Sequence, residues 1–217
     1  MSYLKGLKDC FNIVILIFSF LLLTIILFFI TSHKIFIFLS FVLIIKLIFV
    51  LHFFRNPDRE IVQGDNLILS PADGKVISIT DEFEPLYLKD KAHRIVIFMN
   101  IFNVHRNRIP VDGEIDYLKY YKGKFLAAFK KNVEEANERM LIGIKSKRFK
   151  ILFKQIAGLI ARRIVCNLKI GDKVKAGEIF GMIRFGSALI IYIPLKFKLK
   201  IIEGEKVKAG LTVLASL

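Results

Sequence analysis

Cysteine is almost missing from this sequence. Cys10 and Cys166 are the only two, in no CxxC arrangement and without metal-ligand spacing. That speaks against a disulfide framework, a zinc site or a thiol redox centre, and both read as small buried hydrophobes. The familiar catalytic signatures are absent too: no GxSxG elbow, no P-loop, no dinucleotide glycine fingerprint, no HExxH helix. Acidic residues are few, 19 against 34 lysines and arginines. Formal charge of either sign is scarce in the first 54 residues, which hold only Lys5, Lys8, Asp9, Lys34 and Lys46.

What fills that stretch is apolar. A hydrophobic fraction of 54% and a mean hydropathy of +0.53 exceed what a water-soluble chain of this length carries. Residues 11–30 and 35–54 are two runs of about twenty apolar residues, each long enough as a helix to cross a bilayer core. Lys46 in the second run can snorkel toward the interface. The pair reads as a transmembrane hairpin. A cleaved signal peptide does not fit, because the first run is long, lacks a small-residue cleavage site and is followed at once by a second span. Lys5 and Lys8 before the hairpin, and Arg55 and Arg59 after it, place both ends on the cytoplasmic side of the cell membrane. The net charge of +15 fits nucleic acid or an anionic lipid surface. With no nucleic-acid motif and with an anchor present, lipid is the better partner, although lysine scattered through such a chain is equally a compositional habit.

Beyond Pro57 the pattern changes to period two with turn signals. The chain echoes itself twice. PADGKVISI from Pro71 and PVDGEIDYL from Pro110 are the same turn and strand; GDKVKAGEIFGMI from Gly171 and GEKVKAGLTVLA from Gly204 form a closer pair. Such paired "KVKAG" strands are the pattern of biotinyl and lipoyl domains. The expectation is a mainly β soluble domain, residues 55–217, with barrel-sandwich pseudo-repeats. Between the pairs, a short helix is expected over Lys131 to Met140 and one or two core strands from Gln155.

Few residues could carry covalent chemistry. Asp73 stands in a tight turn, where its plain role is an Asx-type bond. His93 and His105 are candidates for proton transfer, with His52 at the membrane edge. Ser187 follows Gly186, whose missing side chain allows close approach to its carbonyl. An Asp, a His and a Ser together have the logic of an activated nucleophile.

Taken in order, HFFRNPDRE from His52, LSPADGKV from Leu69, IFMNIFNVHRNRIPVDGEI from Ile97, GKFLAAF from Gly123, QIAGLIARRIV from Gln155 and FGMIRFGSALIIYIP from Phe180 resemble the short-type phosphatidylserine decarboxylase proenzyme family. The archaeal ether-lipid members, archaetidylserine decarboxylases, resemble the chain about as well. The chain departs from many members in having Ala188-Leu189 after the Gly-Ser pair.

The resemblance implies that Ser187 attacks the Gly186 carbonyl, with Asp73 and His105 activating it, and that the bond between them is cut. A β chain of 1–186 and an α chain of 187–217 would remain together as a heterodimer, with room for a higher homo-oligomer. The α chain would begin with a covalent pyruvoyl group made from Ser187, the electron sink for decarboxylating a serine phospholipid headgroup. His105 would protonate the carbon left behind. Arg106, Arg108 and Lys75 are expected at the phosphate, Arg184 and Phe185 beside the scissile bond, and no metal is implied. The rival from another class is a non-catalytic, membrane-tethered biotinyl/lipoyl-like carrier or adaptor. It lacks a modifiable lysine at a hairpin tip beside Met or Asp-Ala. A lipid-surface binding module, the third reading, leaves His105 and Ser187 without a role.

Overall fold

The computed structural model describes residues 2–64, 66–124, 134–158, 164–183 and 187–217. They fall into two units, Met1–Asp58 and Arg59–Leu217. In the first, α1 (Ser2–Thr31) and α2 (Ile35–Phe53) pack as a hairpin, the turn passing through Ser32 at φ +57°. Both helices are long and apolar enough to cross a membrane. α1 begins well before the expected residue 11, taking in Lys8 and Asp9. Thr24 and Ser40, two of the few polar residues in the apolar runs, meet across the hairpin at 2.8 Å between hydroxyls, the kind of pairing that ties helices together in an apolar medium.

The second unit is mainly β. Its strands are β1 (Leu67–Leu69), β2 (Gly74–Glu84), β3 (Asp90–Met99), β4 (Arg106–Arg108), β5 (Gly113–Tyr121), β6 (Arg139–Lys145), β7 (Lys150–Ala157), β8 (Ile164–Cys166), β9 (Lys173–Val174), β10 (Ile179–Ile183), β11 (Ser187–Pro194), β12 (Lys198–Leu199), β13 (Lys206–Val207) and β14 (Val213–Ser216). Eight form one antiparallel sheet in the order β13-β2-β3-β11-β7-β6-β5-β9; two three-stranded sheets, β1-β14-β12 and β4-β10-β8, complete the domain.

β11 is the spine. SALIIYIP is apolar on both faces because both are covered. Leu189, Ile191 and Ile193 join Ile95, Ile97, Met99, Phe153 and Ala157 in the main core. Ala188, Ile190 and Tyr192 join Val96, Leu152 and Ile156 in a second cluster, against which Tyr87 and Tyr117 pack. Each such Ile or Leu contributes roughly 1.5–3 kcal/mol by leaving water, and a one-residue slip of β11 would exchange its two buried sets.

The internal echoes pair with each other in space. Lys75 and Gly74 lie opposite Lys206 and Val207, and Gly113 and Glu114 lie opposite Val174 and Lys173. Both repeats carry a register shift at the same place, between Val76 and Ser78 in β2 and between Ile115 and Tyr117 in β5. Such bulges add local twist and bend the strand. The turns match as well: Gly171 and Gly177 have φ of +92° and +84°, Gly204 and Gly210 of +88° and +74°, values that suit only glycine without strain.

The short helix expected at Lys131–Met140 is not formed where the structure describes it. Lys131 to Val133 lie outside the described residues, Glu134–Ala136 make a turn, and Arg139 opens β6. β6 pairs with β5 on one side and β7 on the other; that tertiary pairing overrides the local Glu and Ala preference. The core strands expected from Gln155 are present as the end of β7 and as β8, while Arg162 and Arg163 lie outside the described residues.

Candidate active site

Ser187 is the first residue of β11, opposite Met99 of β3 on one side and Ala157 of β7 on the other. It is fully buried, and its Oγ donates to the Met99 sulfur at 3.5 Å, a weak acceptor. Arg184, Phe185 and Gly186 lie outside the described residues.

His105, also 0% exposed, precedes β4. Arg106 of that strand pairs with Met182 of β10, five positions before Ser187, so the histidine's strand runs beside the chain leading to the serine. The His105 Nδ1 lies 2.9 Å from the Asn103 carbonyl. A carbonyl only accepts, so Nδ1 carries a hydrogen, and whenever the ring is neutral its lone pair lies on Nε2.

Asp73 closes the Ser70–Asp73 turn before β2. That turn is fastened to β4, where the Arg108 N–H donates to the Pro71 carbonyl at 2.9 Å. Its carboxylate is gripped in bidentate fashion by Arg59, at 2.6 and 2.7 Å, and also accepts the Ala209 N–H at 2.8 Å. The guanidinium reaches the Ala209 carbonyl as well, at 2.6 Å. The echo separates these bonds: Asp112, the counterpart of Asp73, accepts the Ala176 N–H at 2.7 Å. The Asp-to-Ala bond is therefore the structural part of the turn. Arg59 is what distinguishes Asp73, and it orders the carboxylate.

Gln155 and Asn107 also belong to this end of the sheet, and sequence reasoning missed them. Gln155 Nε2 donates to Asn107 Oδ1 at 2.9 Å, both side chains being fully buried. An amide on the otherwise apolar face of β7 that carries Ile151, Phe153 and Ala157 was the available signal. Arg59 had a weaker one: a buried carboxylate requires a cation, but Lys75 stood nearer in sequence and Arg55 only four residues farther.

The phosphate candidates differ in setting. Arg108 is buried and donates to the Gly177 carbonyl at 2.7 Å. Arg106 is half-buried. Lys75 is exposed and faces Lys206 across the ladder.

His93 is placed elsewhere. It pairs with Ile193, six positions along β3 from Met99, about 20 Å away at the rise of a strand. Its Nδ1 meets Asp81 at 2.6 Å and its Nε2 the Phe197 carbonyl at 3.2 Å. Replacing it by alanine is expected to leave any chemistry at Ser187 unchanged and to cost about 1 kcal/mol or less, since Asp81 is 58% exposed. A gel and a melting curve of His93→Ala check both.

Two open cavities, of about 620 and 400 Å³, also lie at that far end, beside Glu114, Lys145 and Arg148 and beside Lys91, Lys150 and Pro194. A charged cluster on the second face joins Glu134 to Arg94 and Lys154 at 2.7 Å each. Burial alone would raise the Glu134 pKa, but Lys154 and Arg94 outweigh it and hold the carboxyl below its usual range. Burial pushes the Cys166 thiol up, only partly opposed by a Leu168 backbone bond, as suits an inert cysteine.

Fold and site together define a mainly β domain whose buried serine heads a central strand, with a buried histidine just before β4 and an arginine-clamped aspartate in the turn before β2. Known proteins with this sequence pattern are carboxy-lyases: residues 47–215 match the family model for phosphatidylserine decarboxylase. The phosphatidylserine decarboxylase proenzyme of Carboxydothermus hydrogenoformans is 47% identical over 168 residues, 77% of this chain and 79% of the relative. That of Syntrophus aciditrophicus is 49% identical over 164 residues, 75% and 77% of the two chains. That of Prosthecochloris aestuarii is 46% identical over 174 residues, 80% of each. The chain belongs to the phosphatidylserine decarboxylase family.

Proposed function

We propose that the chain is a membrane-anchored proenzyme that cuts itself between Gly186 and Ser187 and then decarboxylates a serine phospholipid, phosphatidylserine or its archaeal ether counterpart, to the ethanolamine lipid. The observation that carries this reading is Ser187 itself: fully buried at the head of β11, directly after a glycine, in a family whose relatives are named proenzymes.

Ser187 Oγ attacks the Gly186 carbonyl, the acyl group passes from nitrogen to oxygen, and the amine takes up a proton. Loss of the Cα proton then expels the Gly186 carboxylate, and hydrolysis of the resulting dehydroalanine releases ammonia and leaves a pyruvoyl carbonyl at the new terminus. When present, that carbonyl supplies the electron sink for the charge left as carbon dioxide departs. The surroundings fit it: Ser187, His105 and Gln155 are fully buried, and Gln155 Oε1, without a partner among the described residues, leaves a polar atom for an incoming group.

His105 Nε2 is the base for the Ser187 proton and later the acid for the substrate carbon. Asp73, clamped by Arg59, fixes the turn against which β4 and His105 are set. Arg106, Arg108 and Lys75 contact the phosphate, with Lys75 and Lys206 offering the exposed cations. The β chain 1–186 and α chain 187–217 stay associated because β11 lies between β3 and β7, both of which belong to the β chain. The paired KVKAG strands close the domain as a biotinyl/lipoyl-like barrel-sandwich. The hairpin holds the domain at the cytoplasmic face of the cell membrane, where headgroups are within reach.

An intact mass and a denaturing gel of the purified protein test this, with two chains expected, divided before Ser187. A single uncut chain without carbon dioxide release from phosphatidylserine vesicles refutes it. For His105→Ala, the uncut chain is expected to accumulate with at least a hundredfold slower cleavage, within the usual range for losing a general base. Cleavage at the normal rate assigns the base to another group.

A further inference from the structure

The amide pair beside Ser187 has a fixed polarity. The Pro71 carbonyl can only accept, and it already takes the Arg108 N–H. Asn107 therefore turns its nitrogen toward it, at 3.5 Å, and toward the Met99 sulfur at 3.9 Å. That leaves Asn107 Oδ1 facing Gln155, so Gln155 must give its nitrogen to Asn107 and present its oxygen away from the pair. Gln155 Oε1 is buried with no hydrogen-bond partner among the described residues. A methionine or leucine of similar volume would carry no such orphaned acceptor.

Position says what the oxygen meets. On β7, Gln155 lies two residues from Ala157, the cross-strand neighbour of Ser187, and shares its face. The Met99 sulfur touches both Asn107 and Ser187 Oγ, so amide pair and serine form one polar row in a core of Ile, Leu and Phe. A serine phospholipid headgroup carries hydrogen-bond donors only at its amine; its carboxylate and ionised phosphate accept and are repelled by another acceptor.

Resting on the decarboxylase reading, we infer that Gln155 is a substrate-binding residue whose Oε1 accepts an N–H of the headgroup amine. It draws the amine toward residue 187 and turns the carboxylate away. Asn107 is a positioning residue, holding the Gln155 amide in the accepting orientation.

Full-length Gln155→Met, Gln155→Leu and Gln155→Glu, purified in detergent, test the inference. Methionine exchanges one orphaned acceptor for another, Gln155 Oε1 for Asn107 Oδ1, so its melting midpoint should stay close to that of the parent. Cleavage before Ser187 and titration of the new carbonyl with a hydrazine should be unchanged. On micelles containing phosphatidylserine, KM should rise about tenfold, with a smaller change in kcat, as for one hydrogen bond to a charged donor. Reductive trapping of the lipid amine on the small chain, read by mass below KM, should fall by a similar factor. Protonated glutamate keeps a donor for Asn107 and an accepting oxygen, so Gln155→Glu should restore KM to within about threefold.

Unchanged KM and trapping in Gln155→Met overturn the inference. So does a block of cleavage in both apolar variants, which would assign the amide to self-processing, or a loss of folding in both, which would make it structural. Each of these failures leaves a parent chain that still cleaves and releases carbon dioxide. A parent that does neither sinks the decarboxylase reading itself.

Discussion

Ser187→Ala is expected to yield one uncut chain of 25.0 kDa, with no small fragment and no carbon dioxide released from phosphatidylserine. The expected loss is complete, because in the proposed mechanism the hydroxyl is the nucleophile of cleavage, and only its departure within the Gly186 carboxylate opens residue 187 to become the prosthetic carbonyl. The fold has little stake in it. Ser187 Oγ has the Met99 sulfur as its hydrogen-bond partner at 3.5 Å, and removing so weak a bond costs about 1 kcal/mol or less. The melting midpoint should therefore move by only a few degrees while cleavage disappears, which separates chemistry from unfolding. Intact mass, gel and a melting curve on the same preparation read all three. Cleavage before residue 187 in this variant, or decarboxylation without cleavage, would remove Ser187 from the mechanism.

Arg59→Leu should cause the largest fall in stability. The Arg59 and Asp73 side chains are only 6% and 11% exposed and are joined by two short bonds. Taking away the cation leaves a carboxylate in a site with little water, a change that typically costs about 3–5 kcal/mol. For a domain of this size that lowers the melting midpoint by about 10 °C. Adding Asp73→Asn should recover much of the loss, because the amide keeps an oxygen for the Ala209 N–H and carries no charge. A midpoint within two or three degrees of the parent in the single variant would mean that the pair is better solvated than its burial indicates. Asp112→Asn offers a control: the matching turn has its Ala176 bond but, among the described residues, no arginine on its carboxylate, so the cost should be about 1 kcal/mol.

The duplicated turn shows how far the sequence could be read. PADG and PVDG, with their KVKAG partners, are visible as strings, and they imply two related halves. What the strings do not carry is the difference between the halves. Asp73 and Asp112 look alike, and only Arg59, arriving from outside the repeat, tells them apart. His93 and His105 look equally eligible in the sequence; strand register puts one about 20 Å from Ser187 and the other just before β4, which pairs with β10, the strand that precedes Ser187 in the chain. Over its described part, residues 134–140, the expected helix gives way to a turn and the start of β6, which owes its form to β5 and β7 and not to its own residues.

The sequence by itself determined the two apolar helices, the mainly β second unit, its internal duplication, the Gly186-Ser187 pair and the family. These are local properties, carried by run length, period and short motifs, which need no knowledge of what lies across the fold. Tertiary structure alone decided that Arg59 holds Asp73, that His93 is remote, and that Gln155 and Asn107 form a buried polar row next to Ser187. Each of those depends on strand pairing and burial between residues far apart in the chain, and a hydrogen bond is fixed by geometry within about 3 Å, which sequence spacing does not encode.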